Sequence, residues 1–261
     1  MAKRFKEVDM SRAKIDGLGL VLGRPAYTDD LAPQDALVVR ILRSPHAHAR
    51  ILSVDASAAR ALPGVACVLT HADVPRIPYT RAGQGHPEPS PHDKFILDEY
   101  VRYVGDEVAV VDAADEATAE AALEELKVEY QVLPAVLDFE TAADHPTVIH
   151  PEPEIHDMFP IGFEPKRNIA AAYDMEVGDV EKVLSDCAVV VGGTYYTQAQ
   201  AHVALEPHTA FTYLDLHGRL NVVSSTQNPF HTRRLMAQAL NMSARSIRVQ
   251  KIGRASCRER V

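Results

Sequence analysis

The stretch from Ser224 to Arg234, SSTQNPFHTRR, could present a ligand-binding side chain where a strand ends and a helix begins. An apolar run stops there, and Asn228 followed by Pro229 has the form of a helix N-cap with proline at the first helical position. The N–H groups and positive dipole end of a new helix point outward at such a junction. Gln227 could therefore project its amide over a cofactor. The alternative is a plain strand–turn–helix connection.

Two groups of histidines could in principle ligate a metal ion. His46 and His48 are two residues apart, but a metal site needs further ligands, and no third candidate lies nearby in sequence. His202, Glu206 and His208 form the pattern H-x-x-x-E-x-H. On a strand these three would share one face but spread over about 20 Å, at roughly 3.3 Å per residue, which is too far for one ion without a bulge. We therefore expect structural roles at both places.

Three glycines near the N-terminus, Gly17, Gly19 and Gly23, have a spacing that invites comparison with a nucleotide-binding loop. No strand precedes them, and no Lys-Ser/Thr pair follows the last one, so the usual strand–turn–helix context is missing. The sequence predicts instead an extended arm that lies across a neighbouring surface.

The composition indicates a globular chain with a sizeable core, since 46% of the 261 residues are hydrophobic. A net charge of −9 without a basic block argues against a nucleic-acid surface. The cysteines Cys67, Cys187 and Cys257 form no CxxC pair, which argues against disulfides and against a Cys-ligated zinc or iron–sulfur site. Cys187 is expected to be a small core residue. With no apolar leader and no membrane-length apolar run, we expect a soluble, cytoplasmic chain.

Strand and helix patterns alternate in the first half of the chain, which predicts an α/β layer. Predicted strands lie at 36–41, 51–56, 65–70, 100–104, 107–113 and 127–138, and predicted helices at 55–61 and 115–126. The run at 65–70 is apolar throughout, which predicts burial on both faces. The second helix is expected to pack through Ala117, Ala121, Leu123 and Leu126. Residues 74–92 are expected to form an exposed loop.

The second half begins after a proline-rich stretch, 138–167, whose composition is typical of a linker and where limited proteolysis should cut first. A short helix at 178–187, a strong strand at 189–197 and a hairpin turning at His217-Gly218 should follow. The next helix should run from about Pro229 to Leu240 and stop near Asn241. Its expected buried face consists of Phe230, Leu235, Met236, Ala239 and Leu240.

Four motifs carry a resemblance to a known family: GRPAYTDDL at 23–31, RSPHAHARI at 43–51, LEPH at 205–208 and SSTQNPF at 224–230. With them the chain resembles the large, molybdenum-cofactor-binding subunit of the xanthine dehydrogenase/aldehyde oxidase family. The resemblance implies a mixed α/β (α+β) fold, with a small hammerhead-type domain followed by the start of the molybdopterin-binding domain.

The resemblance also suggests domain limits. We expect an N-terminal arm at 1–14, the hammerhead domain at 15–136, the proline-rich linker at 137–167 and the beginning of the cofactor-binding domain at 168–251. The last ten residues, 252–261, read like a translated sequencing adapter and replace the glycine-rich cofactor loop of the family. The chain is therefore expected to be an N-terminal fragment, inactive on its own, without the catalytic glutamate and the substrate-binding groups.

In that family a glutamine in the same turn hydrogen-bonds an oxo ligand of molybdenum, and Gln227 is the position that matches. The resemblance thus makes Gln227 the candidate catalytic and cofactor-binding residue, acting on the metal through its oxo ligand. It implies hydroxylation of an N-heteroaromatic such as xanthine, with water as the oxygen source. The implied cofactor is molybdopterin in its cytosine dinucleotide form.

The implied partners are an iron–sulfur subunit and an FAD subunit in a hetero-oligomer, without nucleic acid or membrane. Two alternatives stay open at this stage. One is an aldehyde or carbon monoxide dehydrogenase of the same family. The other is a non-catalytic α/β interaction subunit that only shares the domain.

Overall fold

The computed structural model describes residues 11, 13–14, 17–24, 27–81, 89–201, 203–204 and 206–251. His202, Cys257 and the predicted adapter-derived tail at 252–261 lie outside these ranges, as does most of the predicted arm at 1–14. The glycine-rich stretch that was expected to be extended contains a short helix instead, Gly17–Val21. Within the described ranges no helix has both the length and the apolar composition needed to cross a lipid bilayer.

Strands and helices alternate along the chain, as the sequence predicts. The strands are β1 (Val38–Arg43), β2 (Ala49–Asp55), β3 (Val65–Leu69), β4 (Tyr100–Val101), β5 (Glu107–Ala113), β6 (Lys127–Val132), β7 (Ala210–Leu214), β8 (Leu220–Ser224) and β9 (Ile247–Lys251). The helices are α1 (Gly17–Val21), α2 (Ser57–Ala61), α3 (Glu116–Glu124), α4 (Val180–Asp186) and α5 (Pro229–Ala239).

The small domain contains two antiparallel sheets and two buried apolar clusters, and Leu42 packs against both clusters. The strand orders of the sheets are β1-β5-β3 and β4-β2-β6. Helices α2 and α3 pack on the first sheet around a buried cluster of Ala56, Ala59, Val68, Ala109, Val111, Ala122 and Leu126. β5 is the central strand of its sheet, and Val108, Ala109 and Val111 are fully buried there. The mixed α/β prediction is confirmed.

Helix α3 forms where it was predicted, but its buried face was predicted correctly only for Leu123 and Leu126, which lie in or against the buried cluster. The Asp115 carboxylate caps it by accepting a hydrogen bond from the Thr118 backbone N–H at 2.8 Å. Ala119 and Ala122 are fully buried, whereas Ala117 and Ala121 are exposed. The true face follows the spacing 119, 122, 123, 126, which is one stripe of a helix, whereas Ala117 and Ala121 lie on the adjacent stripe.

Two further small-domain predictions are corrected by the sheet topology. β3 is an edge strand, and Ala66 is exposed, so this apolar run is not buried on both faces. The stretch 74–92 is not an exposed loop throughout, since Thr80 and His92 are buried and the backbone of Tyr79 pairs with Lys94. Apolar character alone did not reveal which strand lies at the centre, because that depends on the order of strands in the sheet.

The proline-rich stretch is fastened to the small domain by Arg102. Its Nε donates to the Ile149 carbonyl at 3.1 Å, and its guanidinium pairs with Glu152 and with Asp98. All three charged side chains are almost fully buried. The His92 backbone N–H also donates to the His156 carbonyl, at 2.7 Å. The linker therefore follows the domain surface, as expected for a segment without a core of its own.

His150, on this linker, should make stability depend on pH. Burial, and then the nearby Arg102 charge, lower the pKa of His150 to about 4 from 6.5. Between these values the unfolded chain binds a proton that the folded chain does not, so stability falls as pH falls from 6.5 towards 4. Denaturant titrations should measure the free energy of unfolding at pH 7 and at pH 5. Between these pH values, His150→Gln should lose on the order of 1 kcal/mol less of this free energy than the wild type. The exposed His217→Gln should behave like the wild type, and equal losses in all three proteins would contradict the assignment.

Residues 188–201 do not form the strand that the run VVVGGTYYT predicts. Helix α4 is present, with the Asp179 carboxylate accepting from the Lys182 N–H, but Cys187 after it is exposed and is not the core residue we expected. In the described chain no backbone hydrogen bond joins residues 188–201 to another segment. A strand requires a partner, and β-forming residues without one stay irregular.

The irregular backbone at 188–201 changes where we expect the first proteolytic cut in the 261-residue chain, from the linker to this segment. Tyr195 and Tyr196 are 89% and 86% exposed and lie in a segment that forms no backbone hydrogen bond with the described residues. Phe139 in the linker is equally exposed but belongs to a 310 helix, Phe139–Thr141, capped by Asp138. Brief chymotrypsin treatment should therefore cut first at the two tyrosines, because cleavage requires local unfolding of the backbone. Mass spectrometry of the first fragments checks this, and a first cut at Phe139 would contradict it.

The second part of the chain contains a three-stranded sheet, ordered β7-β8-β9. β7 and β8 form the predicted antiparallel hairpin, and β8 and β9 run parallel with α5 as the crossover. Asp215 organises the hairpin turn by accepting from the backbone N–H groups of His217 and Arg219. These bonds, the one from Arg219 first, hold the pKa of Asp215 well below its usual range. The β8–α5–β9 unit sets the geometry of the Gln227 turn.

Candidate functional site

Ser225 joins the carboxyl end of β8 to the residue that directly precedes β7, Thr209. Its backbone N–H donates to the Thr209 carbonyl at 3.1 Å, and its hydroxyl accepts from the Thr209 N–H at 3.1 Å. Ser225 is buried, so these bonds are shielded from water. The strand end is therefore a rigid support for the residues that follow.

The turn between β8 and α5 is held by a local hydrogen-bond set. The Asn228 carboxamide oxygen accepts from the His231 N–H at 3.3 Å, which confirms the predicted N-cap, and Pro229 is the first helical residue. The hydroxyls of Thr226 and Thr232 lie 2.9 Å apart, and the Thr226 hydroxyl accepts from the Asn228 N–H. The helix start is thus fixed without using Gln227.

Gln227 is exposed, and its amide has no hydrogen-bond partner among the described residues. It stands at a cavity of about 410 Å³. The other lining residues are His208, Thr209, Ala210, Ser224, Ser225, Thr226 and Thr232. Apart from the His208 imidazole, none of these residues has an ionisable side chain, and most carry hydroxyls. The arrangement can offer neutral hydrogen-bond donors to a polar ligand without adding a charge.

The hydroxyl lining was not identified from the sequence. Thr209 directly precedes β7, and Thr232 lies on α5. The two residues are far apart in the chain, so only the fold brings them to the same cavity. The sequence signal that could have found part of the lining is the Ser-Ser-Thr run directly before Gln227.

Phe230, expected on the buried face of α5, is 70% exposed, whereas His231 and Ala239 are buried. Asn241, at φ 52°, ends the helix as predicted.

Three of the other candidate ligands, Glu206, His48 and His46, have structural partners. Glu206 is buried and its Oε1 accepts from both the N–H and the hydroxyl of Thr28, at 2.9 and 3.0 Å. His48 Nδ1 contacts the Pro134 carbonyl at 2.8 Å, and His46 packs edge-on against Tyr130. Among the residues that the structure describes, no group of three His, Cys, Asp or Glu side chains could hold a metal ion.

Helix α5 is fastened to the small domain at its far end. Gln238 Nε2 donates to the Pro78 carbonyl at 2.8 Å and lies 2.9 Å from His92 Nδ1. The His92 ring in turn packs at 4.9 Å from His156 of the linker. The helix that begins after Gln227 is therefore held at its start by its own cap and at its end by the other domain.

Two family profiles match the chain in succession. Residues 22–134 match the family described as "Aldehyde oxidase and xanthine dehydrogenase, a/b hammerhead domain", and residues 163–253 match the "Molybdopterin cofactor-binding domain". The turn at Gln227 and its cavity lie within the second match.

Known proteins share both parts of the fold. The chain is 38% identical over 262 residues to "Probable hypoxanthine oxidase XdhD" of Escherichia coli strain K12, covering 91% of this chain and 27% of that protein. The aldehyde oxidoreductase of Desulfovibrio gigas superimposes with a TM-score of 0.71 at 27% identity, covering 90% of this chain and 25% of that one. Quinoline 2-oxidoreductase of Pseudomonas putida 86 gives 0.70 at 28% identity, covering 92% and 30%.

The chain thus spans about a quarter to a third of the length of these relatives. The two profiles follow one another in the order that the sequence motifs imply, and the structural similarity extends over both of them. The chain belongs to the xanthine dehydrogenase/aldehyde oxidase family of molybdenum-dependent oxidoreductases, of which it comprises the hammerhead domain and part of the molybdopterin-binding domain.

Proposed function

We propose that the intact protein is the large subunit of a molybdenum hydroxylase that oxidises an N-heteroaromatic of the purine type, with water as the oxygen source. The observation that carries the proposal is the Gln227 amide, exposed and unbonded within the described chain, at the edge of a cavity lined by hydroxyls. Such a side chain has no structural task in the turn, because Asn228 and Thr226 already hold the helix start.

The residues present fit a molybdenum–pterin group. An oxo ligand can accept a hydrogen bond from a neutral donor, and the cavity offers one amide and several hydroxyls with no carboxylate among its lining residues. When bound, the cofactor supplies the redox chemistry by accepting two electrons from the substrate. Gln227 would donate a hydrogen bond to a cofactor oxygen, while Thr226 and Ser225 keep the turn in place.

The purine preference is supported by the relative named as a hypoxanthine oxidase, whose identity to this chain exceeds that of the two solved enzymes. An aldehyde is the second candidate substrate class, since the structure with a TM-score of 0.71 is an aldehyde oxidoreductase. Enzymes of both classes resemble this chain over about nine-tenths of its length, so the assay must decide between them.

The proposal extends to the assembly. We infer partner subunits that carry iron–sulfur clusters and FAD, a cofactor in the cytosine dinucleotide form, and a cytoplasmic location. The domain limits expected from the sequence, 15–136 for the hammerhead domain, 137–167 for the linker and 168–251 for the cofactor-binding part, belong to the same proposal. The first profile match, 22–134, lies within the limits of the hammerhead domain, and the second, 163–253, extends beyond 168–251 at both ends.

The test uses the intact protein with its partner subunits. Metal analysis should find molybdenum, and turnover of hypoxanthine or xanthine in ¹⁸O-labelled water should give a product that carries the label. The same preparation is assayed with nicotinate, an aldehyde and carbon monoxide. If the aldehyde or carbon monoxide is turned over faster than the purines, the proposed substrate class is wrong and the faster substrate takes its place. A well-folded assembly without molybdenum and without turnover of any of them would refute the function and favour an interaction subunit.

A further inference from the structure

A second cavity, of about 300 Å³, lies beside helix α5. It is bounded by Arg219 after the hairpin turn, by Phe230 and Arg233 on α5, by Arg245 in the 310 helix before β9, and by Arg248 on β9. It shares no lining residue with the cavity at Gln227. Its volume is at the lower end of the range for small-molecule sites, roughly 300–1,000 Å³.

The lining of this cavity is strongly basic, although the chain as a whole carries a net charge of −9. It contains four arginines and no aspartate or glutamate. These are four of the seven lysines and arginines between residues 168 and 251. Arg219 is paired with Asp215, which does not line the cavity, whereas Arg233, Arg245 and Arg248 form no ion pair with a described carboxylate. These three like charges repel one another, and a bound anion would relieve that repulsion.

Two of the arginines are held in position by the protein. Arg233 Nε donates to the Ala244 carbonyl at 2.7 Å, and Arg219 Nε donates to Asp215 at 2.9 Å. Each of these bonds uses Nε, so the terminal nitrogens can serve an anion. Arg245 and Arg248 are exposed, and neither pairs with a carboxylate in the described part of the chain. Guanidinium groups bind phosphate oxygens in a bidentate manner.

Phe230 supplies a second, independent observation. It lies in the first turn of α5, where the helical pattern predicts burial, yet 70% of it is exposed and it lines the basic cavity. An aromatic face at such a place can stack on a flat ring, and stacking on an aromatic side chain is favourable for every nucleobase. Arginines beside an exposed aromatic residue suit a ligand that is both anionic and aromatic.

We propose that the cavity beside α5 binds a free nucleotide, with the arginines on its phosphates and Phe230 on its base. The cavity is separate from the Gln227 site, and the proposal does not depend on the reaction that the intact enzyme catalyses. A double-stranded nucleic acid is a poor match, since the rest of the chain is acidic and would repel its backbone.

The experiment measures binding to the intact protein by isothermal titration calorimetry at low ionic strength. Inorganic pyrophosphate should bind, ADP should bind more tightly because of the stacking contact, and adenosine should not bind detectably. Arg245→Gln and Arg248→Gln should each weaken pyrophosphate binding about 10-fold or more, as expected for loss of a charge-assisted contact. Phe230→Ala should weaken ADP binding and leave pyrophosphate binding unchanged.

Lys182→Gln is the matched control, because it removes one positive charge from an exposed residue that does not line the cavity. It should leave both affinities unchanged. Absence of pyrophosphate binding at millimolar concentration would overturn the proposal. So would an equal loss of affinity in Lys182→Gln and Arg248→Gln, since binding would then reflect only overall charge.

Discussion

Ala122→Glu is expected to destabilise the small domain by several kcal/mol, or to prevent it from folding. Ala122 is fully buried in the cluster where α3 packs on the β1-β5-β3 sheet. A glutamate there would bring a charge and four extra non-hydrogen atoms into a closely packed cluster of alanine, valine and leucine side chains that holds no cation, and both effects are costly. Thermal unfolding followed by circular dichroism, together with the yield of soluble protein, measures the loss.

Ala121→Glu provides the control for that experiment. It makes the same chemical change one residue earlier on the same helix, at a position that is exposed. Helix propensity changes equally in the two variants, so any difference between them reports burial alone. Stability within about 0.5 kcal/mol of the wild type is expected for an exposed site. Equal damage from both substitutions would show that the packed face of α3 is assigned wrongly.

Gln227→Ala in the intact, cofactor-loaded enzyme is expected to lower turnover about 10–100-fold, the usual cost of losing a group that orients a metal site. The thermal midpoint should stay nearly constant, because the Gln227 side chain is exposed and forms no hydrogen bond within the described chain. Steady-state kinetics should be normalised to the molybdenum content of each preparation. A loss of metal is thereby separated from a loss of turnover per site.

Two further variants make this measurement specific. Gln131→Ala removes the same side chain from an exposed position on β6 and should leave turnover unchanged. Gln227→Glu keeps the size of the side chain but replaces a neutral donor by an anion, and it should be at least as damaging as Gln227→Ala. Full activity of Gln227→Glu would mean that no donor is needed there, and unfolding of Gln227→Ala would make the glutamine structural.

Local chemistry predicted those elements whose signals lie within a few residues of one another. The Asn228-Pro229 start of α5, its stop at Asn241 and the hairpin around His217 each depend on a cap or a turn, and all are present. The predictions that failed concern structure that depends on residues distant in sequence. The predicted strand at 189–197 needs a neighbour that the described chain does not contain, and apolar residues alone could not supply it.

The candidate site shows the same division. Gln227 could be singled out because a strand end meets a helix cap there, which is visible in the sequence itself. Its neighbours Thr209 and Thr232 could not, since only the pairing of β7 with β8 and the packing of α5 bring them to one cavity. Phe230 was expected in the interior from helical spacing, but the sheet contacts α5 on a face that leaves it exposed.

The contact of Gln238 with Pro78 and His92 limits how the hammerhead and cofactor-binding domains can be exchanged independently between related proteins. A recombination event that exchanges the hammerhead domain between two family members would also exchange one half of this contact. Since the Thr28–Glu206 hydrogen bonds cross the same boundary, two matched sets of residues would have to be retained together. Engineered chimeras should therefore be joined so that residues 28, 78 and 92 come from the same parent as 206 and 238.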